Sequence, residues 1–181
     1  MQEMLLSSFE WLKNLSPIVY IVVIAFVPLI ELRGSIPIAI ALNFAPLQAL
    51  WWSLIGSMIP AFLVIPLFAG ALQLMKQRHY CPWLTTWLER KFASKANQVA
   101  GNQAAIDNSN KKSWQKELLK FWSIVIFVGI PLPGTGVWTG AAIASMIKMP
   151  FTKALAAVFI GDLLAGIIML AISLGVAGIF T

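Results

Sequence analysis

Apolar residues fill four long stretches of this chain, residues 16–44, 46–75, 121–147 and 150–180, and a polar segment, residues 76–120, divides them two and two. Each stretch matches or exceeds the ~20 apolar residues that carry a helix across a bilayer. The first and third are interrupted. Pro28-Leu-Ile-Glu-Leu-Arg-Gly-Ser-Ile-Pro37 holds two prolines, a glycine and two opposite charges, and Pro131-Leu-Pro-Gly-Thr-Gly-Val-Trp-Thr-Gly140 holds two prolines and three glycines. Neither sequence continues an ordinary spanning helix. Broken apolar segments at corresponding places in two halves point to a transporter-type binding site.

The halves are weakly self-similar. Pro28-Leu answers Pro131-Leu, and Ile40-Ala41 answers Ile143-Ala144 at the same offset. After an inserted residue, Pro46-Leu-Gln-Ala-Leu50 matches Pro150-Phe-Thr-Lys-Ala-Leu155, and Ile55-Gly56 matches Ile160-Gly161. The consistent order predicts a duplication. If each half is a re-entrant hairpin plus one spanning helix, it crosses the membrane once and the second half is inverted. If each half is two full spans, the halves are parallel. Basic residues collect on the cytoplasmic side. The re-entrant arrangement puts the basic connector, Lys148 and Lys153 there and leaves only Lys13 outside, whereas four spans strand Lys148 and Lys153 outside. The expected fold is therefore an all-α integral membrane protein of two inverted repeats, each a re-entrant helical hairpin plus a transmembrane helix. Residues 1–15 form an interfacial helix, 16–75 the first repeat, 76–120 a cytoplasmic connector and 121–181 the second repeat. Within the connector, Trp83, Leu84, Trp87, Leu88 and Phe92 recur at helical spacing and predict a helix on the membrane surface.

Composition agrees with this pattern. The chain is 59% hydrophobic and 11% charged, against about 25% charged for an ordinary soluble domain. Its net charge of +6 sits beside Trp and Leu next to membrane segments, so lipid, not nucleic acid, is the expected partner. Cys81 and His79 are the only residues of their types, which leaves no internal disulfide, no metal-ligand set and no cofactor expectation. So small a bundle barely encloses a large cargo, which keeps a homodimer open.

The candidate chemistry lies in the interruptions. A charge near the bilayer centre costs about 2.5–3.5 kcal/mol on insertion scales, so Glu31 and Arg33 need each other or water. Two residues apart, they share a side only in extended backbone, and Gly34 and Pro37 make a break there plausible. The pair predicts a non-helical hairpin tip lining a polar cavity. Either it is a structural salt bridge, or Arg33 holds an anionic group while Glu31 exchanges a proton. Gly34, Ser35 and Pro37 complete the first candidate half of the site. In the second motif Pro131, Pro133, Gly134, Thr135, Gly136, Trp138 and Thr139 offer turn amides, hydroxyls and an indole N–H, able to form an anion-binding nest. Small residues there also serve close helix packing. Asp162, the one acid of the last apolar stretch, is a candidate proton relay with Glu31 or a structural group.

Both interrupted motifs, in their order along nearly the whole chain, resemble the signatures of the small multi-drug export protein family. The layout is also similar to the DedA superfamily, whose members carry two oppositely facing re-entrant hairpins and are linked to recycling of undecaprenyl phosphate. DedA-like second hairpins have arginines around a Pro-Gly turn, whereas Pro133-Gly134 is flanked by uncharged residues. The resemblance implies a bacterial inner-membrane transporter, not an enzyme. Its expected substrate is an amphipathic molecule or lipid with an anionic, phosphate-type head, or alternatively a cationic drug bound by Glu31. A non-transporting scaffold is the third reading. The hairpin tips are expected to meet at the site.

Overall fold

The computed structural model describes residues 16–78, 113–132 and 134–180. The expectations for residues 1–15, the Trp83–Phe92 surface helix, Cys81, His79 and Pro133 lie outside the described residues. Six helices occur among those described: α1 Pro17–Phe26, α2 Glu31–Ala41, α3 Pro46–Arg78, α4 Ser113–Gly129, α5 Val137–Met146 and α6 Phe151–Phe180. No strand occurs among the described residues. The described residues are all-helical, as the long apolar stretches predict.

Helix length separates two kinds of element. Residues 46–70 of α3 and 151–176 of α6 are long and apolar enough to cross a bilayer. By contrast, α1, α2 and α5 have 10 or 11 residues, and at 1.5 Å per residue each reaches only about half of a ~30 Å hydrocarbon core. Apolar side chains on α3 such as Leu47, Trp51, Ile55, Phe62, Leu63 and Leu67 are exposed, as are Ile160, Leu164, Ile167, Ile168 and Ile172 on α6. So much uncovered apolar surface suits lipid and not water.

The chain divides into two compact units, one of residues 1–59 with 165–181 and one of 60–164. Both long helices are thus shared between units. In the first unit, α1 and α2 pack as a hairpin, with Ile21, Ala39 and Ala49 forming a buried cluster under Tyr20, Ile38, Ile40, Phe44 and Trp52. In the second, α4 and α5 pack likewise, and Ser145 of α5 donates to the Ile65 carbonyl of α3 at 3.1 Å. Phe62 and Phe151 meet there with ring centroids 6.5 Å apart.

Two local devices occur once in each unit. At the end of α2, Asn43 takes a φ of 61° while its N–H bonds to Ile40 and that of Phe44 bonds to Ala39. At the end of α5, Lys148 takes a φ of 55° while its N–H bonds to Ser145 and that of Met149 bonds to Ala144. Each is a left-handed cap that satisfies two of the helix's last carbonyls, and the two lie 105 residues apart. The second device is a close helix approach. A Cβ on Gly56 would lie 2.5 Å from the Val22 carbonyl oxygen and 2.7 Å from Ala25 Cβ. A Cβ on Gly161, again 105 residues on, would lie 2.7 Å from both the Val125 carbonyl oxygen and Val128 Cβ. Only glycine permits backbones to come this near.

By position in the caps, Ile143-Ala144 matches Ile38-Ala39, two residues before the Ile40-Ala41 of the sequence comparison. Val22 and Val125, like Pro28 and Pro131, are 103 residues apart, while everything from the caps onward is 105 apart. The extra residues therefore lie inside the second turn, residues 130–136, which is longer than the turn at residues 27–30.

Candidate functional site

In the first unit the turn closes through backbone bonds from Ile30 and Glu31 to the Val27 carbonyl, at 3.1 and 2.9 Å. Helix α2 then starts at Glu31 itself. The extended backbone expected across Glu31 and Arg33 is not found, because the break falls just before them, at residues 27–30. Instead Glu31 carries a φ of 48°. A non-glycine residue in this region costs about 1–2 kcal/mol, and such strain concentrates at binding and catalytic sites. The strained residue is also a carboxylate only 4% exposed. Arg33 and Gly34 are partly buried, and a Cβ on Gly34 would collide with the Ile30 side chain. A larger residue there would force the Ile30 side chain to move. Pro37 sits inside α2 and can give no N–H to the carbonyl one turn back.

The buried face of α2 runs through Leu32, Ser35, Ile36 and Ala39. Leu32 and Ile36 approach Gly166 of α6, with a Cβ built there lying 2.9 and 3.7 Å from their Cδ1 atoms and 2.7 Å from Leu50 Cδ1 of α3. This face therefore packs against both long helices within the first unit. It carries one polar residue, Ser35, and the facing stretch of α3 carries Ser53 and Ser57.

The turn of the second unit is organised differently. Gly134 takes a φ of 85°, a conformation open to glycine. Thr135 donates its hydroxyl hydrogen to the Ile130 and Leu132 carbonyls at 2.8 and 2.9 Å, and its N–H points to Leu132 at 3.3 Å. The threonine hydroxyl proton thus closes the turn, leaving its oxygen as an acceptor. Gly136 is buried, whereas Pro131, Trp138 and Thr139 are partly buried. A Cβ on Gly140 would collide with Val128, so small residues here bring α5 onto α4. Asp162 is 1% exposed, next to Gly161 at the close approach to α4.

Sequence reasoning assigned no role to Ser53 or Ser57. The available signal was their spacing of four residues in an otherwise apolar stretch, with Gly56 between them, which puts both hydroxyls on one helix face. Outside this region, Lys153 of α6 pairs with Glu117 of α4 on an exposed surface. Lys153 holds the Glu117 carboxyl below its ordinary value, mainly by hydrogen bond and charge, with a lesser pull from Lys120. Among the described residues no cluster of His, Cys, Asp and Glu could hold a metal ion.

A family model described as "Putative small multi-drug export protein" matches residues 31–168 of the 181. The match begins at Glu31, inside the first interrupted motif, and takes in all of the second and Asp162. No curated protein and no solved structure matches the chain.

Proposed function

We propose, on the premise that this chain belongs to the small multi-drug export protein family, that it moves an amphipathic molecule with an anionic head across the bacterial inner membrane. It is a membrane protein of the export class. The observation that carries the finer reading is the start of α2, where a buried carboxylate on strained backbone stands two residues from an arginine. A salt bridge needed only for stability would gain nothing from a left-handed φ at Glu31. In the proposed cycle Arg33 attracts the head group. Glu31 then exchanges a proton as the head group arrives or leaves. The second unit has candidate groups of its own, the backbone and hydroxyl groups of the Pro131–Thr139 turn for binding and Asp162 for carrying protons.

The proposed topology is two inverted repeats, each a re-entrant hairpin and one spanning helix. The half-length helices support it, as does the Glu117–Lys153 pair. Had residues 121–147 crossed the membrane as one helix, Lys153 would lie on the opposite face from Glu117. The recurrence of cap and glycine approach at one offset supports duplication.

Efflux of cationic amphiphiles is the second reading, favoured by the buried carboxylate of Glu31 and by the family description. Purified protein in liposomes separates the two. Flux of a phosphate-headed amphiphile lost in Arg33→Ala supports the first reading. Flux of a cationic dye lost in Glu31→Gln but kept in Arg33→Ala supports the second.

A further inference from the structure

Helical serines in apolar surroundings normally satisfy their hydroxyl on a carbonyl of the preceding turn. Among the described residues four do so: Ser57 bonds to Leu54, Ser123 to Leu119, Ser145 to Ala141 and Ser173 to Met169. Ser35 and Ser53 do not. Both residues are 0% exposed, and neither hydroxyl has a hydrogen-bond partner in the protein. A buried hydroxyl without a partner destabilises the fold, and alanine would fill the same space without that cost.

Both residues belong to the first unit, and their neighbours place them on converging faces. Ser35 lies between Leu32 and Ile36 on α2, and Ser53 lies one turn beyond Leu50 on α3; all three apolar residues close on Gly166. The second unit gives the same placement independently. The residues 105 positions on from Ser35 and Ser53 are Gly140 and Val158, and a Cβ on Gly140 lies 3.8 Å from Val158 Cγ2. Where the second unit sets Gly140 against Val158, the same register in the first unit holds Ser35 and Ser53, two hydroxyls without a partner in the protein.

We infer that Ser35 and Ser53 form a subsite for one oxygen of an oxyanionic, phosphate-type head group, extending the site from α2 onto α3 and making Ser53 a specificity residue. The inference rests on the anionic-head reading above. Each hydroxyl brings one donor and acceptor lone pairs, and an oxyanion accepts two such donors strongly. Arg33, two residues before Ser35, supplies the charge that selects an anion.

The test uses full-length protein in phosphatidylcholine nanodiscs, with binding of inorganic phosphate and of phosphatidic acid measured separately. Ligand-free melting temperature is recorded alongside. Ser53→Ala and Ser35→Ala should each weaken oxyanion binding about tenfold, with the melting temperature unchanged or raised. The double variant should lose little more than either single one, because both donors serve one oxygen. Phosphate bound alone identifies a free anion; binding of phosphatidic acid only identifies a lipid head. Wild-type affinity in Ser53→Ala, or a loss matched by a fall in melting temperature, overturns the subsite and leaves the anionic reading standing. Failure of the wild type to bind either probe overturns both.

Discussion

The two helical hairpins share a frame and differ in what fills it. Both end in a left-handed cap and both receive a long helix through a glycine that touches backbone. In the first, that frame surrounds Glu31, Arg33, Ser35 and Ser53. At the register positions of those residues the second has Gly136, Trp138, Gly140 and Val158. At these four positions the second unit closes without charge or hydroxyl, although it buries Asp162 and Ser145 elsewhere. The polar groups at these four positions are what distinguishes the first hairpin from the second, and the proposed head-group site gives them a ligand.

The largest expected effect tests the shared frame. Gly56→Val and Gly161→Val each force a side chain onto a carbonyl oxygen and should destabilise the protein comparably, by about 3 kcal/mol, read as thermal unfolding in detergent. Gly70 and Gly175 have open space around them, so alanine at either should be neutral or mildly stabilising, by up to ~1 kcal/mol. A large gap between Gly56→Val and Gly161→Val would break the equivalence of the hairpins.

Next comes the asymmetry in charge. Glu31→Gln should lower proton-coupled flux in proteoliposomes about tenfold or more, as expected for a buried group in a relay, with the fold retained. Asp162→Asn should also lower it, and the pH dependence of flux tells whether the two acids act in one relay: loss of the same limb in both variants places them in series.

Smaller effects sharpen the comparison of the caps. Lys148→Gly should stabilise by about 1 kcal/mol by relieving a left-handed backbone. Asn43→Gly should gain only a few tenths, because asparagine tolerates that conformation. The smallest effect belongs to the exposed Glu117–Lys153 pair. Its folded carboxyl value lies below the ordinary 4.5, so its contribution is complete above that pH and is lost as pH falls through the lowered value. Glu117→Gln should shift melting slightly at pH 7, vanish as a difference in acid, and be masked by high salt.

Much of this was legible in the sequence. Length and hydropathy gave the helical class, and Pro28 and Pro131 marked both turns. The exact place of the break was not legible, because Glu31 adopts a positive φ that no propensity predicts for glutamate, letting α2 start at the charge pair. Nor was the register between the halves. Ile, Ala and small residues repeat too freely to fix an insertion, whereas cap hydrogen bonds place it inside the second turn. Ser53 escaped notice because a single serine in a membrane helix ordinarily bonds its own backbone. Only the structure shows that this one does not.

The central claim is that the first hairpin holds the substrate's head group. Its most direct test is flux of a phosphate-headed amphiphile into liposomes, comparing Arg33→Ala with Trp138→Ala, the substitution at the matching position of the second hairpin, in protein of wild-type melting temperature. The account predicts that Arg33→Ala loses at least ~10-fold in flux, as removal of a charged hydrogen-bonding partner should, and that Trp138→Ala loses clearly less. Equal losses, or full flux without Arg33, would contradict it.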